Sequence, residues 1–200
     1  MPYLLTTHTY RPEQIFWEDV WPIAEQPDGY ARIGRGHGKP PMVEGPIPYR
    51  MYKGHLRDDG LLPDLIAGRW ANDLIVSSRV RDLIESKDKV AHSFVPLDLT
   101  LEDGSTVSGQ FFLFVSGERT DGIVPEASNV VPKYLDGEFR YYTCPGEPEI
   151  AWRAKAIEGR RNWVDRYLPG EIFVSDDLAA DVAKLGPATY DLKPASVFVE

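Results

Sequence analysis

The stretch Ile33-Gly-Arg-Gly-His-Gly-Lys-Pro-Pro41 places three glycines ahead of a lysine, the composition of a phosphate-cradling loop. Such a loop carries glycine five residues before its Gly-Lys pair and Ser or Thr after it, so that backbone N–H groups meet the phosphates and the hydroxyl meets a metal ion. Those two places hold Ile33 and Pro40, and Pro40-Pro41 restricts the residues a following helix would use. A dinucleotide loop fails as well: Lys39 stands where its third glycine belongs, and no parallel-sheet strand precedes it. The residues read as an ordinary loop.

The remaining reactive groups are scattered. His8, His37, His55 and His92 form no H-E-x-x-H pattern, and the single Cys144 cannot furnish a thiolate metal site, so neither a metal nor a cofactor is expected. Ser86-Lys-Asp-Lys89 fits S-x-x-K literally but falls at a helix end, and G-x-S-x-G is absent. Cys144 follows Tyr141-Tyr142 and precedes Pro145 with no adjacent base, the setting of a structural thiol. Asp176-Asp177 lies in the first turn of an expected helix, where the dipole stabilises negative charge by about 0.3–1 kcal/mol. Asp58-Asp59 lies in a loop. Arg153, Lys155, Arg160, Arg161 and Arg166 interleave with Trp152, Trp163 and Tyr167 as a nucleic-acid surface would. Against that stand Glu158, Asp165 and a net charge of 22 − 31 = −9, which repels phosphate backbones and anionic lipids, so no nucleic acid and no membrane is expected as a partner.

The elements that would position such groups follow from patterning. Two hundred residues bury roughly 70% of their unfolded surface, and 42% hydrophobic with 26% charged residues is ordinary for a folded soluble chain. One cysteine, no signal-like N-terminus and no long apolar run predict a cytosolic protein. Tyr3-Leu-Leu5 and the threonines after it predict a first strand. Between Pro22 and Pro63 lie seven of the seventeen prolines and seven of the seventeen glycines without sustained periodicity, a long irregular segment. Val95, Leu97, Leu99 and Leu101 alternate, turn at Asp103-Gly104 and return through Val107, Phe111, Leu113 and Val115: a hairpin. Phe112 and Phe114 make the return strand apolar on both faces, as in a central strand.

Val76-Ser77-x-x-Val80-x-x-x-Ile84 matches Val174-Ser175-x-x-Leu178-x-x-x-Val182 position for position, a buried strand running into a Ser-capped helix. The strands that follow differ, Phe94-x-Pro96 against Tyr190-x-Leu192-x-Pro194. The expected fold is one α+β domain over residues 1–200. It has a largely antiparallel sheet, two Ser-capped helices from a duplicated strand-helix-strand element, and an irregular part over residues 1–70 ahead of the motif-bearing residues 71–200.

The order of these elements carries a resemblance. LIVSSRVRDLIES, SFVPLDL, a hairpin ending FFLFVSGERTDGIVPEAS, then IEGRRNWVDRYLPGEIFVSDDLAADVAKLG and a last strand resemble the bacterial polymorphic-toxin immunity proteins grouped as immunity family eleven. The likeness runs from about Leu74 to Val199. Its most specific parts are the helix starts at Ser77 and Ser175, the stretch Asp121-Gly-Ile123-x-x-Glu126-x-Ser128, and the segment from Ile157-x-Gly159 to Trp163. The resemblance implies a chain with no reaction of its own, which binds and neutralises a protein toxin encoded beside it. An acidic inhibitor suits a basic toxin. We place the contact on the Pro/Gly-rich segment, at Arg35, His37, Asp58, Asp59 and Trp70, because loops vary freely on a sheet that holds them. Two alternatives stay open: a hydrolase that reverses a toxin's modification through His37 or His55, and a non-catalytic regulatory or scaffold module. The oligomeric state is not legible.

Overall fold

The computed structural model describes residues 1–7, 18–19, 46–50, 62–67, 74–90, 92–101, 103–168, 170–185 and 190–198. In chain order the first strands are β1 (Tyr3–Thr7), β2 (Glu18–Asp19), β3 (Ile47–Arg50), β4 (Leu65–Ala67) and β5 (Leu74–Ser77). Helix α1 (Ser78–Lys87) follows, then β6 (Ser93–Thr100), β7 (Thr106–Val115) and β8 (Arg119–Thr120). After a 3-10 turn at Pro125–Ala127 come β9 (Val131–Leu135), β10 (Glu138–Thr143), β11 (Ala151–Arg153), α2 (Ala154–Ile157) and β12 (Asn162–Asp165). The chain closes with β13 (Ile172–Val174), α3 (Asp176–Ala183), β14 (Tyr190–Pro194) and β15 (Ser196–Phe198). Strands of order β2-β3-β6-β7-β5-β4 form one sheet and β14-β1-β13-β12-β8 a second. The fold is α+β and predominantly antiparallel; the parallel pairs are β3–β6, β8–β12 and β11–β15.

The sequence repeat is a structural one. In each unit the two strands that flank the helix enclose a third, antiparallel to both: β7 lies between β5 and β6, and β1 between β13 and β14. The outer neighbours correspond too, β4 beside β5 and β12 beside β13. The unlike strands after the helices therefore occupy like places. Ser77 and Ser175 cap their helices by accepting the N–H of Val80 and of Leu178, each at 3.4 Å, and such caps contribute about 0.5–2 kcal/mol.

One further correspondence survives with its charges exchanged. Asp64 precedes β4 and pairs with Arg79, two residues past Ser77; Arg161 precedes β12 and pairs with Asp177, two residues past Ser175. Each cap hydroxyl donates at 2.5 Å to the acid of its own pair, and the cap N–H donates to the carbonyl of Asp64 (2.9 Å) or Arg161 (2.8 Å). Exposed ion pairs of this kind are worth about 0–1 kcal/mol, so they tie each helix start to its outer strand more than they stabilise the fold.

Side-chain alternation sorts the core into layers. On β7, Phe111, Leu113 and Val115 enter one cluster with Ile47, Ile75, Leu97 and Leu99, while Phe112 and Phe114 enter another, so this central strand is covered on both faces. The second cluster joins the facing sides of both sheets to the helices through Val80 and Ile84 of α1 and Leu178, Ala179 and Val182 of α3. A third, on the far side of the second sheet, holds Leu4, Trp152, Trp163 and Phe173.

At the helix–helix contact, Asp181 of α3 receives Lys184 at 2.8 Å and Lys87 of α1 at 2.9 Å. Hydrogen bonds from Lys184 first and Lys87 second bring its carboxyl down from 3.8 to about 2. A lowered folded pKa means that the stabilising contact is present above pH 3.8 and fades as pH falls through about 2. An NMR titration of the Asp181 carboxyl should therefore give a midpoint near 2, and Lys184→Ala should move it upward; a midpoint of 3.8 in the unaltered chain would show that the lysines do not hold it.

Candidate functional site

Acid–base groups converge at one buried place among the described residues. Asp88 closes α1, His92 precedes β6, Ser116 follows β7 and Asn162 opens β12, so the cluster links the two sheets. Asp88 Oδ2 accepts from Asn162 Nδ2 at 2.8 Å and lies 3.2 Å from His92 Nε2. His92 Nδ1 accepts the Gly117 N–H at 3.1 Å, and its Nε2 also lies 3.0 Å from Asn162 Nδ2. The Ser116 hydroxyl donates to Asn162 Oδ1 at 2.8 Å, not to His92. A serine nucleophile needs the imidazole as its acceptor. With the His92 and Asp88 side chains 1% and 6% exposed, the arrangement serves as a polar clamp between the sheets.

The stretch Asp121 to Ser128 is largely architectural. Asp165, buried, accepts the N–H of Tyr167 at 2.7 Å and of Gly122 at 3.2 Å; burial pushes its carboxyl above the usual range while those N–H groups hold it partly down. A Cβ on Gly122 would lie 2.6 Å from Ala156 Cβ and 3.1 Å from Trp152 Cε3, so only glycine fits between β11 and α2. Ser128 Oγ accepts the Ala151 N–H at 2.9 Å and donates to the Val124 carbonyl at 2.7 Å. Asp121 and Glu126 stay exposed.

Within the basic cluster the rings of Trp152 and Trp163 are core and offer no face to a base. Arg160 pairs with Glu118 and Arg161 with Asp177. Cys144 is half-buried, and burial first, then Glu171, push its thiol up to about 11, the state of an unreactive cysteine. Beside α2 a cleft of about 930 Å³ is lined, among the described residues, by Arg153, Lys155, Ile157, Glu158 and Val197.

The surface feature that stands apart is the β9–β10 hairpin. Asp136 (φ 53°) and Gly137 (φ 78°) make the two-residue left-handed turn that closes tight hairpins. Pairing of Leu135 with Glu138, Tyr134 with Phe139, Lys133 with Tyr141, Pro132 with Tyr142 and Val131 with Thr143 leaves Arg140 as a bulge and sorts the side chains onto two faces. On the inner face the Phe139 ring lies 4.9 Å from that of Tyr142 and 5.0 Å from that of Tyr167, and the Tyr142 N–H donates to the Tyr167 carbonyl at 2.5 Å. Burial first, then the carboxylates of Asp165, Asp121 and Glu126, raise the Tyr142 hydroxyl above its usual range. Asn129 closes the stem: its amide donates to the Glu147 carbonyl at 2.7 Å and accepts the Glu149 N–H at 2.8 Å.

The other face meets solvent. Leu135 is 60%, Tyr141 44% and Val131 40% exposed; Tyr134, 64% exposed near the tip, belongs to the inner face, its ring edge-on to Phe139 at 6.1 Å. An isolated two-stranded hairpin is marginal in water, and this one is held at its base while it leaves a group of large apolar side chains uncovered. Single exposed apolar residues are commonplace; groups of them mark contact surfaces.

Arg35, His37, Asp58, Asp59 and Trp70, together with His8 and His55, lie outside the described residues. The hairpin went unread although Asp136-Gly137 is a strong local signal; Pro132 interrupts its first strand and demotes the run. No described helix is long and apolar enough to cross a membrane, and no three His, Cys, Asp or Glu side chains among the described residues converge as a metal site. No curated protein matches the chain. A family model described as an immunity protein family (Imm11) matches residues 10–196, beginning far upstream of the motifs that start at Leu74.

Proposed function

Since the chain belongs to the immunity protein family Imm11 over nearly its whole length, we propose that it neutralises a cognate toxin, encoded by the adjacent gene, through stoichiometric binding in the cytoplasm. It performs no reaction of its own. The observation that favours a binder is the group of exposed apolar side chains on a hairpin anchored at its base. The polar clamp of Asp88, His92, Asn162 and Ser116 supports the same reading, because its groups are buried and committed to one another. A net charge of −9 favours encounter with a cationic toxin.

Co-expression with the neighbouring gene's product tests this reading. A complex that survives purification, together with restored growth of toxin-producing cells, is the expected result. Growth restored without any complex would favour an enzyme instead, and no restoration would remove the reading.

A further inference from the structure

We propose that Asp136, at the tip of the β9–β10 hairpin, is a covalent modification site, where the side-chain carboxyl closes on the backbone nitrogen of Gly137 and the ring reopens to leave isoaspartate in the chain. The site is chosen by the fold and stands independently of any toxin.

Five aspartates precede a glycine: Asp28, Asp59, Asp103, Asp121 and Asp136. The first two lie outside the described residues. All five share the same local chemistry, a carboxyl within ring-closing reach of a nitrogen that no side chain shields, so their surroundings decide which of them reacts. At Asp103 both reacting groups are engaged. Its Oδ1 accepts the Ser105 hydroxyl at 2.6 Å and the Ser105 N–H at 2.8 Å, while the Gly104 N–H donates to the Leu101 carbonyl at 3.0 Å. Those bonds from Ser105, the hydroxyl first and the N–H second, hold the Asp103 carboxyl below its usual range. A carboxylate that stays ionised has no hydroxyl to lose. After Asp121 the nitrogen is buried: the Gly122 N–H donates to Asp165 at 3.2 Å, its carbonyl accepts the Arg153 N–H at 2.8 Å, and Ala156 and Trp152 close around it.

The third pair is held by none of these contacts. Asp136 and Gly137 are exposed, and the Asp136 carboxyl has neither a hydrogen bond nor an ion pair among the described residues. In the left-handed turn (φ 53° and 78°) the Gly137 N–H points to no acceptor among them, and no atom lies within 4 Å of where a Cβ on Gly137 would stand. Electrophile and nucleophile are adjacent, free and open to water.

The reaction needs nothing but water. The Gly137 nitrogen bonds to Cγ of the neutral Asp136 carboxyl, and the hydroxyl leaves with the amide proton as water, which gives a five-membered succinimide. Water then returns to one of the two ring carbonyls and breaks its bond to nitrogen. Opening at Cγ restores aspartate; opening at the backbone carbonyl leaves isoaspartate, with the main chain routed through Cβ and Cγ and mass unchanged. The new linkage is one backbone atom longer in a loop that fits two ordinary residues. The Leu135–Glu138 pair beside it therefore opens, while the base of the hairpin, where Phe139 and Tyr142 pack with Tyr167, stays in place.

The test incubates the full chain in warm, mildly acidic buffer, which supplies the neutral carboxyl. Trypsin, cutting after Lys89, Arg119, Lys133 and Arg140, then delivers Asp103, Asp121 and Asp136 in separate peptides. Peptide 134–140 should gain a second form of equal mass and different retention that accepts a methyl group from an isoaspartate-specific carboxyl methyltransferase. It should form about tenfold ahead of the other two, which must first break hydrogen bonds of ordinary net strength. Asp136→Glu, whose ring would be larger, should lose the signal with the unfolding midpoint held. Ser105→Ala should narrow the gap between Asp103 and Asp136, and in guanidinium all three should react at similar rates. Isoaspartate forming at Asp136 no faster than at Asp103 in the folded chain overturns the proposal. So does an Asp136→Glu chain that keeps the signal in that peptide, a Ser105→Ala chain with the gap unchanged, or a difference that persists in guanidinium, which would place the selection in the sequence instead of the fold.

Discussion

Trp152→Ala lowers the unfolding free energy by about 3–5 kcal/mol. The Trp152 side chain is 0% exposed; its ring meets Trp163 edge-on at 5.6 Å and Phe173 at 4.7 Å. These rings are the largest members of the cluster on the far side of the second sheet. The site cannot collapse onto the void. β11 is held by its pairing with β15, and the carbonyl of Gly122 accepts the Arg153 N–H at 2.8 Å. Against a total stability of about 5–15 kcal/mol for a domain, the loss is a fifth or more. Trp152→Phe should cost less, since it keeps one ring and removes an indole N–H that meets no acceptor among the described residues. Guanidinium unfolding monitored by circular dichroism measures both. An alanine variant within about 1 kcal/mol of the unaltered chain would contradict the packing.

Asn162→Leu carries the second large effect, a loss of about 3 kcal/mol, for a different reason. The substitution keeps the branched heavy-atom skeleton and removes both the amide group that donates to Asp88 and the oxygen that accepts from Ser116. The Asp88 carboxylate, 6% exposed, is then left with fewer donors in a place water does not reach. Ser116→Ala should cost less on top of Asn162→Leu than alone, because the hydroxyl has by then lost its bond to the amide and keeps only the longer ones with Glu118, at 3.3 and 3.4 Å; a double-mutant cycle in urea reads that coupling. Full additivity, or a near-neutral Asn162→Leu, would show that the two sheets are not joined through this cluster.

Local signals carried the parts of the fold that local chemistry decides. Ser77 and Ser175 cap helices because a hydroxyl beside an apolar i, i+4 pattern is itself the cap, and the strand on either side of Asp103-Gly104 shows its alternation openly. Long-range pairing left no such mark. Nothing in Tyr3-Leu-Leu5 announces that β1 inserts between β13 and β14, some 170 residues away in sequence, and completes the second copy of the unit. The interleaving of aromatic and basic residues is a product of strand alternation: Trp152 turns inward while Arg153 is half-exposed, and the sequence shows only their adjacency. The clamp was illegible too, since Asp88, His92, Ser116 and Asn162 come together only when the sheets meet.

The most direct measurement is a titration of the toxin's activity, assayed on its own substrate, with increasing amounts of this chain at concentrations well above the dissociation constant. Inhibition by fit alone predicts a linear fall that breaks at one equivalent and returns in full when the complex is separated under denaturing conditions and the toxin refolded. Complete loss of activity at a small fraction of one equivalent, increasing with time, would mean that the chain turns over, and would contradict the account.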